Sequence, residues 1–287
     1  MSPISVVRRY PLLSYFALAY ALSGLALAVV GWPRLDGATA RPALALVMFP
    51  VMVVGVGLVG LALTAATGGG TGLRDLRSRL LRWRLGRYAL ILLLPPLGIL
   101  AVLTAFRVFV SPRFAPQFLA FGIAAGIVAG FWEEIGWTGF AYPRLRARFG
   151  AVGGALLLGV LWGLWHAPVV DAMGAASPHG QYWPAFFASF VALVVAMRVL
   201  IAWLYANTGS VLGAQLLHAS STGFLVVLGA AGVSPGEEAL WYLVYALLLW
   251  MVVGLLVATY GPSLARAQRA RRPHSGEALA TRGGGTL

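Results

Sequence analysis

Along this chain, apolar runs of about 20 residues alternate with short segments rich in Arg, Gly and Pro. A run of that length is what an α-helix needs to cross about 30 Å of hydrocarbon. Bounding the runs at Pro, Gly and Arg predicts eight spans, roughly 11 to 31, 43 to 66, 88 to 110, 116 to 140, 152 to 172, 184 to 206, 209 to 229 and 238 to 260. No period-two alternation of apolar and polar residues competes, which argues against a β-barrel. The predicted fold class is an all-α, polytopic transmembrane helical bundle of about eight spans.

Composition sharpens this picture. Of 287 residues, 60% are hydrophobic and only 10% are charged, and the mean hydropathy of +0.85 lies outside the range of soluble domains. The net charge of +13 comes from 21 basic residues, all of them Arg, clustered between the apolar runs. They read as topology signals with anionic lipid as partner, not as a nucleic-acid surface. Arg8 and Arg9, then Arg74 to Arg87, then Arg144 to Arg148, then Arg266 to Arg282 mark alternate connections, while the connections between them are Arg-poor. The positive-inside rule then predicts that both termini face the cytoplasm.

Arg without Lys, with abundant Ala and Gly, fits a high-GC bacterial gene and predicts a bacterial inner membrane. The absence of Cys excludes disulfides and thiolate metal sites. Arg8-Arg9, the first run and Ala26-Leu27-Ala28 resemble a signal peptide. The run is longer than a signal h-region, however, and the charge pattern needs an even number of spans, so it is read as a retained helix.

Three segments are expected: a two-helix N-terminal part over 1–69, a core over 70–261, and a disordered basic cytoplasmic tail over 262–287. In the second connection Leu73, Leu76, Leu80 and Trp83 recur at helical spacing, which fits either a short amphipathic surface helix or a solvated basic loop. No soluble domain is predicted, and the oligomeric state is not legible.

Ionisable residues at membrane depth are costly, about 2.5 to 3.5 kcal/mol each in insertion measurements, and so mark candidate sites. They are Glu133, Glu134, His166, Arg198 and His218. Gly122, Gly126 and Gly130 recur every four residues, and the two glutamates continue that small-residue stripe, so they are expected to face another helix. Gly159 and Gly163 lead to His166 in the same way. Ser210, Ala214, His218 and Thr222 share one small, partly polar face. With a rise of about 1.5 Å per residue, Glu133, His166 and His218 come out roughly 11, 21 and 14 Å from the cytoplasmic ends of their spans.

Any one of these residues alone reads as helix-to-helix hydrogen bonding, and Arg198 reads as a counter-charge or a snorkelling residue. The adjacent glutamates do not fit that reading. Two carboxylates in one low-dielectric site cannot both stay ionised cheaply, which suits one of them to proton transfer. Asp171, His179 and His274 are assigned no role.

The stretches "EEIGWTGFAYPRL", "LLGVLWGLWHAPV" and "WLYANTGSVLGAQLLHASST" resemble, in order and spacing, the three motifs of the CPBP intramembrane proteases. That group includes the type II CAAX prenyl endopeptidases and the Abi-like bacteriocin-processing or immunity proteins, and the similarity covers about residues 70 to 260. The motifs are Glu-Glu-x-x-x-Arg, Phe-x-x-x-His and His-x-x-x-Asn. Here they read Glu133-Glu134 with Thr138 in place of Arg, Trp162 with His166, and His218 with Thr222 in place of Asn.

The resemblance implies hydrolysis of a membrane-associated peptide or protein, with Glu133, Glu134, His166, His218 and Thr222 as site residues. Glu133 and His166 are expected to activate water, His218 and Thr222 to bind the oxyanion, and Glu134 to tune its neighbour. No cofactor is required in this reading. Zn²⁺ held by Glu133, His166 and His218 is the alternative, since one Glu and two His suit that ion. Two other functions remain open: a catalytically impaired scaffold or immunity protein of the same fold, pointed to by Thr138 and Thr222, and a proton-coupled transporter. Against the transporter, no inverted repeat of broken helices is visible.

Overall fold

The structure, a computed structural model, describes residues 2–30, 42–167, 170, 179–230 and 232–266. Nine α-helices are found among them. They are α1 (Pro3–Arg9), α2 (Pro11–Val30), α3 (Pro42–Leu80), α4 (Leu94–Phe109), α5 (Phe121–Gly136), α6 (Tyr142–Trp165), α7 (Trp183–Thr208), α8 (Val211–Val227) and α9 (Pro235–Tyr260). A 3-10 segment, Gly86–Leu93, leads into α4, and five residues of π-helix, Trp137–Ala141, join α5 to α6. No strand is present among the described residues; one isolated antiparallel bridge pairs Pro116 with Ala230.

The chain is therefore an all-α polytopic membrane bundle, as its hydropathy predicts. Five helical stretches of 18 or more residues are apolar enough to cross a membrane, and Pro11–Leu25 and Val211–Val227 are shorter apolar helices. The longest stretch, Phe121–Trp165, has 45 residues, about twice what one crossing needs. It breaks at Gly150, whose φ of 74° lies in the left-handed region that glycine tolerates without steric cost.

This break corrects the expected span boundaries. The apolar run ends near residue 140, but the helix continues through Arg144, Arg146 and Arg148. Polar side chains at a membrane edge can extend a helix by carrying their charges outward. Arg144 does so by lying 3.7 Å over the Phe140 ring and donating to the Phe140 carbonyl at 2.8 Å. Beyond Gly150 the chain folds back tightly. The Tyr142 hydroxyl donates to the Ala151 carbonyl, and a Cβ on Gly154 would lie 2.9 Å from the backbone of Leu145 and Arg146. The hairpin returns α6 alongside α5, so that the Trp162 indole reaches Glu133 at 2.8 Å, with His166 one turn further along, at the end of α6.

The glycine stripe of α5 packs against α8. A Cβ on Gly122 would lie 2.6 Å from the Val227 nitrogen, and one on Gly130 would lie 2.5 Å from the Gln215 carbonyl oxygen. Such approaches leave room for hydrogen atoms only. On the other side of α5, a Cβ on Gly60 of α3 would lie 2.7 Å from the Gly136 Cα. Gly159 and Gly163 face α7 instead, with Gly159 opposite Val195 and Arg198.

Three smaller expectations also meet the structure. Of the two readings of Leu73 to Trp83, a surface helix or a basic loop, each holds in part: Leu73 to Leu80 end α3 beyond an irregular Gly69, with Leu76 buried, while Trp83 lies exposed past the helix. The tail expected to be disordered from 262 begins packed: Leu264 is fully buried, and its carbonyl accepts from the Asn207 amide at 2.7 Å. From 267 onward, and at Asp171 and His274, the expectations lie outside the described residues. Finally, His179, assigned no role from sequence, is buried, pairs with Glu238 at 3.0 Å and stacks on Phe186. It ties the segment before α7 to the start of α9.

Candidate active site

Glu133 and Glu134 end α5 and are both buried, at 1% and 0% exposure. They point to different partners. Glu133 accepts two indole N–H groups on one oxygen, Oε2, from Trp137 at 3.0 Å and from Trp162 at 2.8 Å. No hydrogen bond reaches its Oε1 among the described residues. Glu134 accepts a bidentate pair from Arg198, Nη2 to Oε1 at 2.7 Å and Nη1 to Oε2 at 2.9 Å. His218 Nδ1 meets the same Oε1 at 2.9 Å, and the Thr138 hydroxyl donates to Oε2.

Trp162 links these groups. Its indole binds Glu133, while its ring meets the His166 and His218 rings edge-on, with centroids 5.5 and 4.8 Å apart. The Arg198 guanidinium lies 4.3 Å from its ring centre. The aromatic at this position is thus a hydrogen-bond donor and a cation–π platform together.

The hydrogen-bond partners also assign the histidine tautomers. His166 Nδ1 lies 2.8 Å from the Trp162 carbonyl oxygen, so it carries the proton and Nε2 is left with its lone pair. His218 Nδ1 faces a carboxylate held by arginine and likewise carries a proton. As a neutral ring His218 therefore accepts at Nε2; protonated, it donates from both nitrogens. The oxyanion role read from the resemblance is that of the protonated form.

The five residues expected at the site fall into place unequally. Glu133, His166 and His218 surround Trp162, and Glu134 joins His218 to Arg198. Thr222 is half-buried one turn beyond His218 on α8, and its hydroxyl makes no hydrogen bond among the described residues.

Four further side chains contribute to the site; sequence reasoning singled out one of them, Arg198, and missed the roles of the other three. Arg198 was read as a counter-charge or a snorkelling residue; it is a buried counter-charge, 1% exposed, and does not snorkel. Its position inside an apolar run was the signal. The donor role of Trp162 and Trp137 was missed because the indole N–H has no signature in hydropathy. Tyr15 of α2, fully buried, packs edge-on to Trp137 with its hydroxyl against Gly136; only a tertiary contact reveals it.

A zinc ion requires three of these side chains to converge. Each imidazole has its Nδ1 bonded and its Nε2 available, as zinc-binding histidines do. Among the described residues, however, no group of three or more His, Asp or Glu side chains lies close enough to hold one ion, and Glu133 Oε2 is already engaged by two indoles. The donor set in this arrangement does not fit a Glu-His-His zinc site, and no step below passes through a metal.

Residues 115–224 match the family model for type II CAAX prenyl endopeptidases, Rce1-like. The matched stretch contains all three motifs, so the resemblance to the CPBP proteases is borne out. A CAAX prenyl protease 2 from Methanococcus maripaludis is 26% identical over 96 residues, which are 32% of this chain and 35% of that relative. The chain thus spans about a third of the length of the curated relative it matches.

Proposed function

We propose that this multi-pass membrane protein, with its Rce1-like endopeptidase region, hydrolyses a peptide bond in a membrane-associated peptide or protein, using water activated by Glu133 and His166 without a metal. The observation that carries this reading is the contrast between the two glutamates: Glu134 is fixed by a guanidinium, whereas Glu133 meets only neutral donors, and keeps one oxygen available, among the described residues. A water between Glu133 Oε1 and His166 Nε2 gives its proton to the carboxylate as its oxygen adds to the scissile carbonyl. The carbonyl electrons move to oxygen, where protonated His218 and the Thr222 hydroxyl donate to the oxyanion. Collapse breaks the C–N bond, and the proton on Glu133 passes to the departing amine.

The test of function is a comparison of membrane proteomes from wild-type and Glu133→Gln cells. An uncleaved membrane protein is expected to accumulate in the variant. A deletion phenotype fully rescued by Glu133→Gln, with no accumulating protein, would instead support the scaffold or immunity reading. Metal content is a separate prediction: purified wild-type protein is expected to hold less than stoichiometric zinc. Stoichiometric zinc that disappears in Glu133→Ala or His218→Ala would overturn the metal-free mechanism.

At the arginine-rich end we propose anionic lipid as a partner, with that end cytoplasmic under the positive-inside rule. A cavity of about 510 Å³ between α3 and the start of α6 is lined by Arg79, Arg144, Gly68, Gly72 and Asp75, and Asp75 pairs with Arg79 at 2.9 Å, which leaves Arg144 as the guanidinium for a lipid headgroup. Arg144 donates to Phe140 and Thr67 and to no carboxylate among the described residues. Phosphatidylglycerol in proteoliposomes is expected to raise the melting temperature of the wild type but not of Arg144→Gln. An equal rise in both proteins sinks this proposal.

A further inference from the structure

We infer that Arg198 is a positioning residue for the reaction: reaching in from α7, it supplies the guanidinium that the first motif has at the place of Thr138, and through Glu134 it fixes His218. This inference rests on the proteolytic reading above.

Geometry carries the argument. Position 138 lies four residues beyond Glu134, one turn along the same helical face. Thr138 does not leave that place unfilled. Its hydroxyl donates to Glu134 Oε2 and accepts from Arg198 Nη1 at 3.1 Å. A short hydroxyl therefore bridges the two charged groups at the place where the motif has a long, charged side chain. The departure from the motif and the arginine on α7 are two halves of one arrangement.

Two further positions make the arrangement possible. Gly159 of α6 opens the way, because a Cβ there would lie 3.2 Å from the Arg198 Cβ. Trp162, one turn later on α6, covers the guanidinium face at 4.3 Å. Arg198 thus enters between α6 and α5 with its two Nη groups bonded to Glu134 and its guanidinium carbon over an indole ring.

The bidentate fork has a directional consequence that a point charge lacks. It fixes the plane of the Glu134 carboxylate, so that Oε1 presents a lone pair to His218 Nδ1 at 2.9 Å. That bond holds the imidazole with Nε2 turned away from Glu134, the orientation in which it can reach an oxyanion. Arg198 touches neither substrate nor water in this scheme. It acts by orienting Glu134, and Glu134 by orienting His218.

The test uses the full-length protein in lipid nanodiscs, labelled with ¹⁵N-histidine, and a fluorogenic transmembrane peptide library for turnover. The hydrogen-bonded Nδ1–H resonance of His218, assigned by its absence in His218→Gln, is expected to be lost in Arg198→Met. It is expected to return in the double variant Thr138→Arg/Arg198→Met, where the guanidinium comes from α5. Turnover should follow: kcat lower by about 10²-fold in Arg198→Met with KM little changed, as for a misplaced catalytic group, an intermediate loss in Arg198→Lys, and recovery to within about tenfold in the double variant. An unchanged resonance or full turnover in Arg198→Met overturns the inference, and so does a folded double variant that recovers neither. If the wild type cleaves nothing in the library, the proteolytic reading fails, and the resonance pattern still decides the role of Arg198. Should Arg198→Met not fold, Arg198→Lys and the double variant carry the same comparison.

Discussion

Glu133→Gln is expected to abolish peptide cleavage while leaving the bundle folded. The glutamine carbonyl can still accept from the Trp137 and Trp162 indoles, which bind a single oxygen at 3.0 and 2.8 Å, so the buried contacts that this side chain makes survive. What the amide cannot do is accept a proton from water and return it to the leaving amine. Loss of such a base typically lowers the rate by about 10² to 10⁴. Turnover of a fluorogenic transmembrane peptide, with melting temperature measured on the same preparation, checks the prediction. Retained full activity would refute the assignment of Glu133. His166→Ala, assayed beside it, is expected to fall strongly as well, because it removes the second acceptor for the attacking water.

The second large effect is on assembly. Gly126→Val is expected to destabilise the protein by about 3 kcal/mol or more, at the upper end of overpacking costs, and to abolish activity by separating α5 from α8. A Cβ at this position would lie 2.6 Å from the Gly223 Cα and closer still to the Ala219 carbonyl oxygen. Those contacts are backbone atoms, so no side chain can rotate away to accommodate the new methyl groups. Because α5 carries Glu133 and Glu134 and α8 carries His218, even a small separation breaks the bond between Glu134 and His218. Gly254→Ala is the control: a Cβ there meets nothing within 4 Å. Thermal melts in one detergent should show a large drop for Gly126→Val and almost none for Gly254→Ala. Equal melting temperatures in all three proteins would remove the close α5–α8 contact from the account.

The two predictions depend on different kinds of information. The α5 stripe was legible because close helix approach demands small residues at four-residue spacing, and that demand is written in one helix at a time. Its direction, inward, followed for Glu133 and Glu134, and both are buried. The partner helix was not legible: spans five and seven both carry small faces, and the sequence holds no reason for α5 to choose α8 over α6.

Boundaries failed where charge and structure part company. Hydropathy ends the fourth span near residue 140, ahead of the arginines, but the helix runs to Phe149 and turns at Gly150. The arginines there extend the helix because their guanidinium groups reach the polar edge or a ring face, as Arg144 does over Phe140. The resulting hairpin sets Trp162 against Glu133, which no estimate of depth from apolar runs anticipated.

By itself, the sequence determined that this chain is an all-α membrane bundle, that Glu133, Glu134, His166 and His218 face inward, and that three motifs resembling those of the CPBP intramembrane proteases lie in order, within the matched residues 115–224. These features are local: hydropathy, helical period and motif spacing each involve residues close in the chain. Only the tertiary structure decided which glutamate meets which partner. Arg198 is 64 residues from Glu134 in sequence, and Thr138 looked like a loss in the first motif until α7 was seen to bring a guanidinium to the same carboxylate. Charge neutralisation in a low-dielectric interior requires a partner at hydrogen-bond distance and is indifferent to which helix supplies it. For that reason the composition of the site was readable from the chain and its wiring was not.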